Sequence, residues 1–158
     1  MALLINLAEQ YLSEQNIEFE RLSSREGLMA EMRRGTESFN VFVECDSDDN
    51  VFGIYIYSLV RVSEDKRNQI AELLTYINHG WIAFGCCHLD YKDGYVRYLH
   101  RVNLADGVLT LAMVEKIFNY GLAIMSRLNS GIMLVVYCDN DPKETYELIR
   151  NTGSRQSE

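Results

Sequence analysis

The sequence predicts an α+β fold built on an antiparallel sheet, with elements in the order α-β-β-β-β-α-β-β-α-α. Three observations carry this. Between Thr110 and Tyr137, apolar positions fall at Leu111, Val114, Phe118, Gly121, Met125, Leu128, Ile132 and Val135, alternately three and four residues apart. That spacing is one face of a helix, sustained well beyond chance alternation. Phe39, Val41, Val43 and Cys45 alternate with Asn40, Phe42 and Glu44, the two-residue period of a strand. Lys92-Asp93-Gly94 separates two β-rich runs, Trp81 to Asp90 and Tyr95 to Leu104, and short glycine-bearing loops join antiparallel strands. Strands therefore come in runs between helices, the pattern of α+β folds.

In chain order, a first helix is expected over Ala2 to Gln15. It buries Leu3, Leu4, Leu7, Tyr11 and Leu12, turns Glu9, Gln10, Ser13 and Glu14 to solvent, and stops at Asn16. Ile17 to Leu22 and Leu28 to Arg34 are strands on either side of a turn at Ser23 to Glu26. The alternating strand through Phe39 and Cys45 leads over a polar loop, Asp46 to Asn50, into Val51 to Val60. That last run is apolar on both faces, which suits a central position. Ser63 is expected to cap a second helix, with Glu64 and Asp65 against the positive end of its dipole. Ile70, Leu73, Leu74 and Ile77 form its buried face, and Asn78-His79-Gly80 its C-terminal cap. A three-residue hairpin loop with glycine last pairs Tyr91 with Tyr95. Ile82, Phe84 and Cys86 then share the inner face with Val96, Tyr98, Val102 and Leu104. Thr110 caps the long helix, which would span roughly 40 Å if unbroken. Asn129-Ser130-Gly131 predicts a kink or restart within it. Asp141 caps a last helix that begins at Pro142, carries Glu144 in its first turn and runs to about Arg150.

The 158 residues suit one domain, expected over 1–150, with a polar disordered tail over 151–158. A net charge of -8 disfavours nucleic acid and anionic membrane surfaces, which select clustered Lys and Arg. No charge-free apolar run approaches the roughly 18 residues of a membrane span. The N-terminus lacks a basic region ahead of its apolar residues, so no signal peptide is expected. The four cysteines have neither CxxC nor disulfide-scaffold spacing, so reduced thiols in a cytoplasm are expected.

Candidate sites are few. Asp46, Asp48 and Asn50 match the first, third and fifth positions of a calcium loop. Val51 and Tyr57 then stand where the pattern needs Gly and Glu, so a loop of solvated acids is the expectation. Cys86, His88 and His100 fall on one face of the expected hairpin, a soft and imidazole set of the kind zinc takes. No fourth ligand accompanies them, so no metal and no cofactor are expected, and nothing marks a catalytic constellation. Trp81, Leu89, Tyr95 and Leu99 with Arg97 and Arg101 are expected on the hairpin's outer face. Aromatic, aliphatic and Arg residues together resemble an interface patch, and the alternative is a face covered by another element of the same chain.

Two stretches resemble a known family. Asn78 to Leu104, NHGWIAFGCCHLDYKDGYVRYLHRVNL, resembles the helix-end Asn, hairpin and "dG-v-r-y" strand of the YbjN family. Ser126 to Ile149, SRLNSGIMLVVYCDNDPKETYELI, resembles its closing helix pair, with Val136 to Cys138 in place of the usual small residue. The family is described as bacterial sensory transduction regulators. The resemblance implies a curved antiparallel sheet packed by helices, similar to type III secretion chaperones. It implies a homodimer, a protein partner and no catalytic residues. The expectation is therefore a non-enzymatic bacterial regulatory or chaperone-like protein-binding module in signal transduction. The alternative is a small-molecule sensor or an enzyme using a pocket near Cys86, His88 and His100.

Overall fold

The computed structural model describes residues 3–152. The expected element order recurs: α1 (Ile5–Glu14), β1 (Phe19–Arg21), β2 (Gly27–Arg34), β3 (Glu37–Asp46), β4 (Val51–Tyr57), α2 (Arg67–Gly80), β5 (Cys86–Leu89), β6 (Val96–Asn103), α3 (Leu111–Cys138) and α4 (Pro142–Thr152). The six strands form one sheet in the order β1-β2-β3-β4-β6-β5, so β4 is central, as its two apolar faces predict. The pairs β1–β2, β2–β3 and β3–β4 are antiparallel. Ser58 N–H donates to Val96 C=O, and Leu104 N–H to Asn50 C=O, which makes β4–β6 antiparallel too. The chain divides into two compact units, Met1–Ile56 with Leu99–Ala123 and Tyr57–Tyr98 with Ile124–Glu158. Of the expected tail, Asn151 and Thr152 extend α4, and 153–158 lie outside the described residues, as does Ala2.

In the first unit, Leu28, Ala30 and Met32 of β2, Phe39, Val41 and Val43 of β3, and Phe52, Ile54 and Ile56 of β4 are buried on one side of the sheet. Helix α1 contributes Ile5, Ala8, Tyr11 and Leu12, and Tyr11 stacks on Phe118 with ring centroids 5.3 Å apart. The α1 face is therefore rotated from the expected one: Leu4 and Leu7 are half-buried and Leu3 is exposed. The start of the helix is held from outside it. Glu26 accepts a hydrogen bond from Ile5 N–H at 3.2 Å and from Ser47 Oγ at 2.7 Å, and Ser47 Oγ accepts from Leu4 N–H at 3.0 Å. Two distant side chains thus cap α1, and no local residue does. Asn16 ends it in the left-handed region at φ 56°.

In the second unit, α2 packs with α4 and β5. Ile70, Leu73, Leu74 and Ile77 are buried as expected. Two details differ. Ser63 makes no side-chain cap; it opens a three-ten turn, Glu64–Lys66, ahead of the helix. Gly80 remains helical instead of capping, and a Cβ there would collide with the Tyr146 hydroxyl, so the glycine admits α4. Tyr146 stacks on Tyr76 at 5.7 Å. The Asp141 cap is present: its Oδ2 accepts from Glu144 N–H at 3.1 Å.

Helix α3 buries all of its predicted stripe except Leu111, and Thr110 Oγ1 accepts from Met113 N–H at 3.2 Å. Among the described residues it is the one helix long and apolar enough to cross a membrane, with half of its most apolar stretch buried. The expected break at Asn129-Ser130-Gly131 is absent: the helix runs through it. Gly131 serves packing, since a Cβ there would lie 3.1 Å from Ile149 Cδ1 and 3.4 Å from Thr145 Cγ2 of α4. Its helix-propensity cost of about 1 kcal/mol is offset by that close approach.

The hairpin departs most from expectation. Asp90 N–H donates to Tyr95 C=O at 2.9 Å, and Gly94 N–H to Asp90 C=O at 2.8 Å. The loop is thus four residues, Tyr91 to Gly94, with Gly94 at φ 83°. Asp90, not Tyr91, faces Tyr95. A one-residue change of register turns every side chain of one strand over relative to the other. Cys87 is accordingly buried with Val96 and Tyr98, while Cys86 is half-buried and Phe84 exposed. Strand β5 is also shorter than expected: Trp81 to Gly85 are outside it, and Gly85 has φ 75°. Asn78, the helix-end residue of α2, fixes the edge strand by two bonds with the Cys87 backbone, at 2.8 and 2.9 Å.

Candidate functional site

The hairpin tip is stiffened by its own side chains. Asp90 accepts from Lys92 N–H at 2.8 Å and Asp93 from Tyr95 N–H at 3.0 Å. Arg67 donates to Tyr91 C=O at 2.6 Å and Val62 C=O at 3.2 Å, and Arg61 donates to Asp93 C=O. Beside this tip lies a cleft of about 490 Å³, lined by Tyr57, His88, Leu89, Asp90, Tyr91, Asp93, Tyr95 and Arg97. Tyr57 and Tyr95 meet edge-to-face at 6.5 Å. Arg61 lies 5.8 Å from the Tyr95 ring centre, and Arg97 Nη1 is 3.5 Å from the Tyr57 hydroxyl. Partial burial, and then the Arg97 charge, hold the His88 imidazole below its ordinary pKa. His88 Nε2 is 3.0 Å from Cys86 Sγ.

A second feature belongs to the first unit. Across the sheet, on the side opposite its buried residues, Met29 pairs with Phe42 and Phe42 with Tyr55. The β4–β6 bonds continue the row to Leu99. Met29 is 36% exposed, and Phe42, Tyr55 and Leu99 are half-buried. One row along, Glu44 pairs with Gly53 and is bonded to Arg25 at 2.6 Å. A Cβ on Gly53 would lie 2.9 Å from Arg101 Cγ, so the Arg101 stem crosses the glycine. The result is an apolar strip bordered by charges of both signs. The same unit holds a more open groove of about 680 Å³, with Leu3, Leu7, Val108 and Leu109 among its lining.

The expected interface patch is therefore divided. Leu89, Tyr95 and Arg97 line the cleft. Leu99 and Arg101 belong to the apolar strip and its border. Trp81 is on neither: it ends α2, and the Arg127 guanidinium lies 4.0 Å from its ring centre. The Cys86, His88 and His100 set is divided as well. The first two touch, while His100 shares its side of β6 with Val96 and Tyr98 and lies in the other compact unit. Burial lowers the His100 pKa. Among the described residues no three His, Cys, Asp or Glu side chains converge as metal ligands. In the Asp46–Asn50 loop, Asp46 Oδ1 accepts from the N–H groups of Asp48 and Asp49, and the Asn50 amide donates to the carbonyls of Ala105 and Gly107. Those side chains are committed to backbone.

Met29, Phe42 and Tyr55 escaped sequence reasoning as site residues. The available signal was Phe42, an aromatic on the polar phase of β3, facing a β4 that is apolar in both phases.

The family model YbjN, described as "Putative bacterial sensory transduction regulator", matches residues 7–131. No curated protein matches the chain. Among solved structures, the crystal structure of YbjN from E. coli, described as "a putative transcription regulator", is similar with a TM-score of 0.58. The two share 14% identity over 79% of this chain and 89% of that one, a likeness of fold.

Proposed function

The chain belongs to the YbjN family, and from that premise we propose that it is a non-enzymatic regulator which works by binding protein, with a second copy of itself as the first occupant of its binding face. Family membership supports a regulatory role of the sensory-transduction kind. The single observation that carries the binding mode is the apolar strip Met29, Phe42, Tyr55 and Leu99. Apolar side chains aligned over four strands gain from being covered, and a two-fold contact covers such a strip with itself. Arg101 and the Arg25–Glu44 pair at its border offer both signs of charge for register across the axis. The free thiols Cys45, Cys86, Cys87 and Cys138 suit a reducing cytoplasm.

Leu99→Glu tests this. It sets two like charges near the axis and should convert a wild-type dimer into a folded monomer in sedimentation velocity. A wild type that sediments as a monomer at tens of micromolar would overturn the proposal.

The cleft favours a second reading, a sensor for a small polar molecule. Its arginine, carboxylates and tyrosines converge on one concave space, as ligand sites do. Thermal shift against a panel of charged metabolites, repeated on Tyr95→Ala, distinguishes the two: shifts abolished by Tyr95→Ala support the sensor.

A further inference from the structure

We propose that Cys86 and His88 form a peroxide-reactive thiol site, independent of the binding role assigned to the strip. The observation is geometric. Strand β5 puts residues two apart on one side, and Cys86 Sγ comes within 3.0 Å of His88 Nε2. The contact sets Nε2 beside the thiol, and the ring tautomer with its proton on Nδ1 turns the Nε2 lone pair toward the S–H. Cys86 is half-buried and His88 exposed, on a four-residue strand at the edge of the sheet, where a small oxidant has access.

The other cysteines set the contrast. Burial, followed by the neighbouring Cys86, pushes the Cys87 thiol far up, and burial with the Glu26 charge pushes Cys45 up to about 12. Both are held as inert thiols. Cys138 ends α3 and is exposed, so it controls for exposure alone. Adjacent residues 86 and 87 thus differ because the strand alternates.

The step balances with a hydroperoxide as oxidant. As sulfur attacks one peroxide oxygen, the S–H proton passes to His88 Nε2 and the O–O bond breaks. The departing hydroxide recovers that proton as water. Sulfur is oxidised by two electrons to a sulfenic acid, and the peroxide is reduced. His88 also lines the cleft, so the added oxygen alters a group that the cleft presents.

The test treats the full-length protein with stoichiometric hydrogen peroxide, traps sulfenic acid with dimedone, and maps adducts by mass spectrometry. Cys86 should carry most of the label. His88→Ala should slow its labelling about a hundredfold, the low side of what a positioned base supplies. His88→Gln retains the side-chain volume without the base and should be equally slow, which guards against a folding defect in the alanine variant. Iodoacetamide alkylation should rank the cysteines alike. Label on Cys138 equal to that on Cys86, or a Cys86 rate unchanged in both His88 variants, would overturn the proposal.

Discussion

The strip of the first unit and the cleft of the second carry opposite chemistry. In the strip, Met29, Phe42, Tyr55 and Leu99 present hydrocarbon and aromatic surface in one line over four strands. In the cleft, Tyr57, Tyr95 and Arg97 are already joined by ring contacts and hydrogen bonds, and Asp90 and Asp93 hold the loop that shapes it. The first is formed by strand register alone, with the core supporting it from behind. The second is formed by a loop and its caps. The contrast is between an extended apolar surface made by strand register and a concave polar site made by a loop.

The largest effect should separate neighbours on one strand. Val43 is fully buried and Phe42 belongs to the strip. Val43→Glu should cost about 3 kcal/mol or more, because it buries an unpaired carboxylate. Phe42→Glu should stay within about 1 kcal/mol of wild type while abolishing self-association. Denaturant unfolding with sedimentation on the same samples checks both, and a Phe42→Glu that unfolds would move the strip into the core. Next in size, Glu26→Ala removes the carboxylate that caps α1 with Ser47, and should cost about 1–2 kcal/mol. Loss of helical signal at unchanged association in that variant would show that α1 supports the strip's unit without touching its function.

In the cleft, Tyr95→Ala loses a ring pair and an arginine contact at an exposed site, worth about 0.5–1 kcal/mol. It should leave the sedimentation coefficient unchanged; a shift to monomer would transfer the interface to the cleft. The smallest effect is that of pH. His88 and His100 both have folded pKa values below the ordinary 6.5. The unfolded chain therefore binds more protons in the window between the folded values and 6.5, so their contribution is full above 6.5 and is lost as pH falls through the folded values. The groups facing His88 are Arg97 of β6, Tyr57 of β4, Asp90 and Cys86 on its own side, and Asp93, Tyr91 and Tyr95 at the hairpin tip. Melting curves from pH 7.5 to about 5 should fall less steeply in a His88→Gln, His100→Asn double variant; equal slopes would refute the assignment.

The elements were legible where periodicity is long. The stripe of α3, the alternation of β3 and the two apolar faces of β4 located the core and the central strand. What failed to show in the sequence depends on contacts distant along the chain. Glu26 and Ser47 cap a helix more than twenty residues away. Gly131 looks like a helix breaker in isolation and is a packing residue against Ile149. The hairpin differs by one loop residue, which turned Cys86 over, while Trp81, Ile82 and Phe84 lie outside the shorter strand. Trp81 was placed on a strand because aromatics favour strands, yet it stacks beside Arg127 at the end of α2. The strip itself was half visible, through Leu99 and Arg101, and lacked only the partners that register supplies.

Binding through the strip, and not through the cleft, has its own signature in solution. Amide chemical shifts of isotope-labelled protein, followed through a dilution series, test it most directly. Concentration-dependent shifts should cluster at Met29, Phe42, Tyr55, Leu99 and Arg101, with the cleft residues Tyr91, Asp93 and Tyr95 unmoved. Shifts concentrated at the hairpin tip, or none over the whole series, would contradict it.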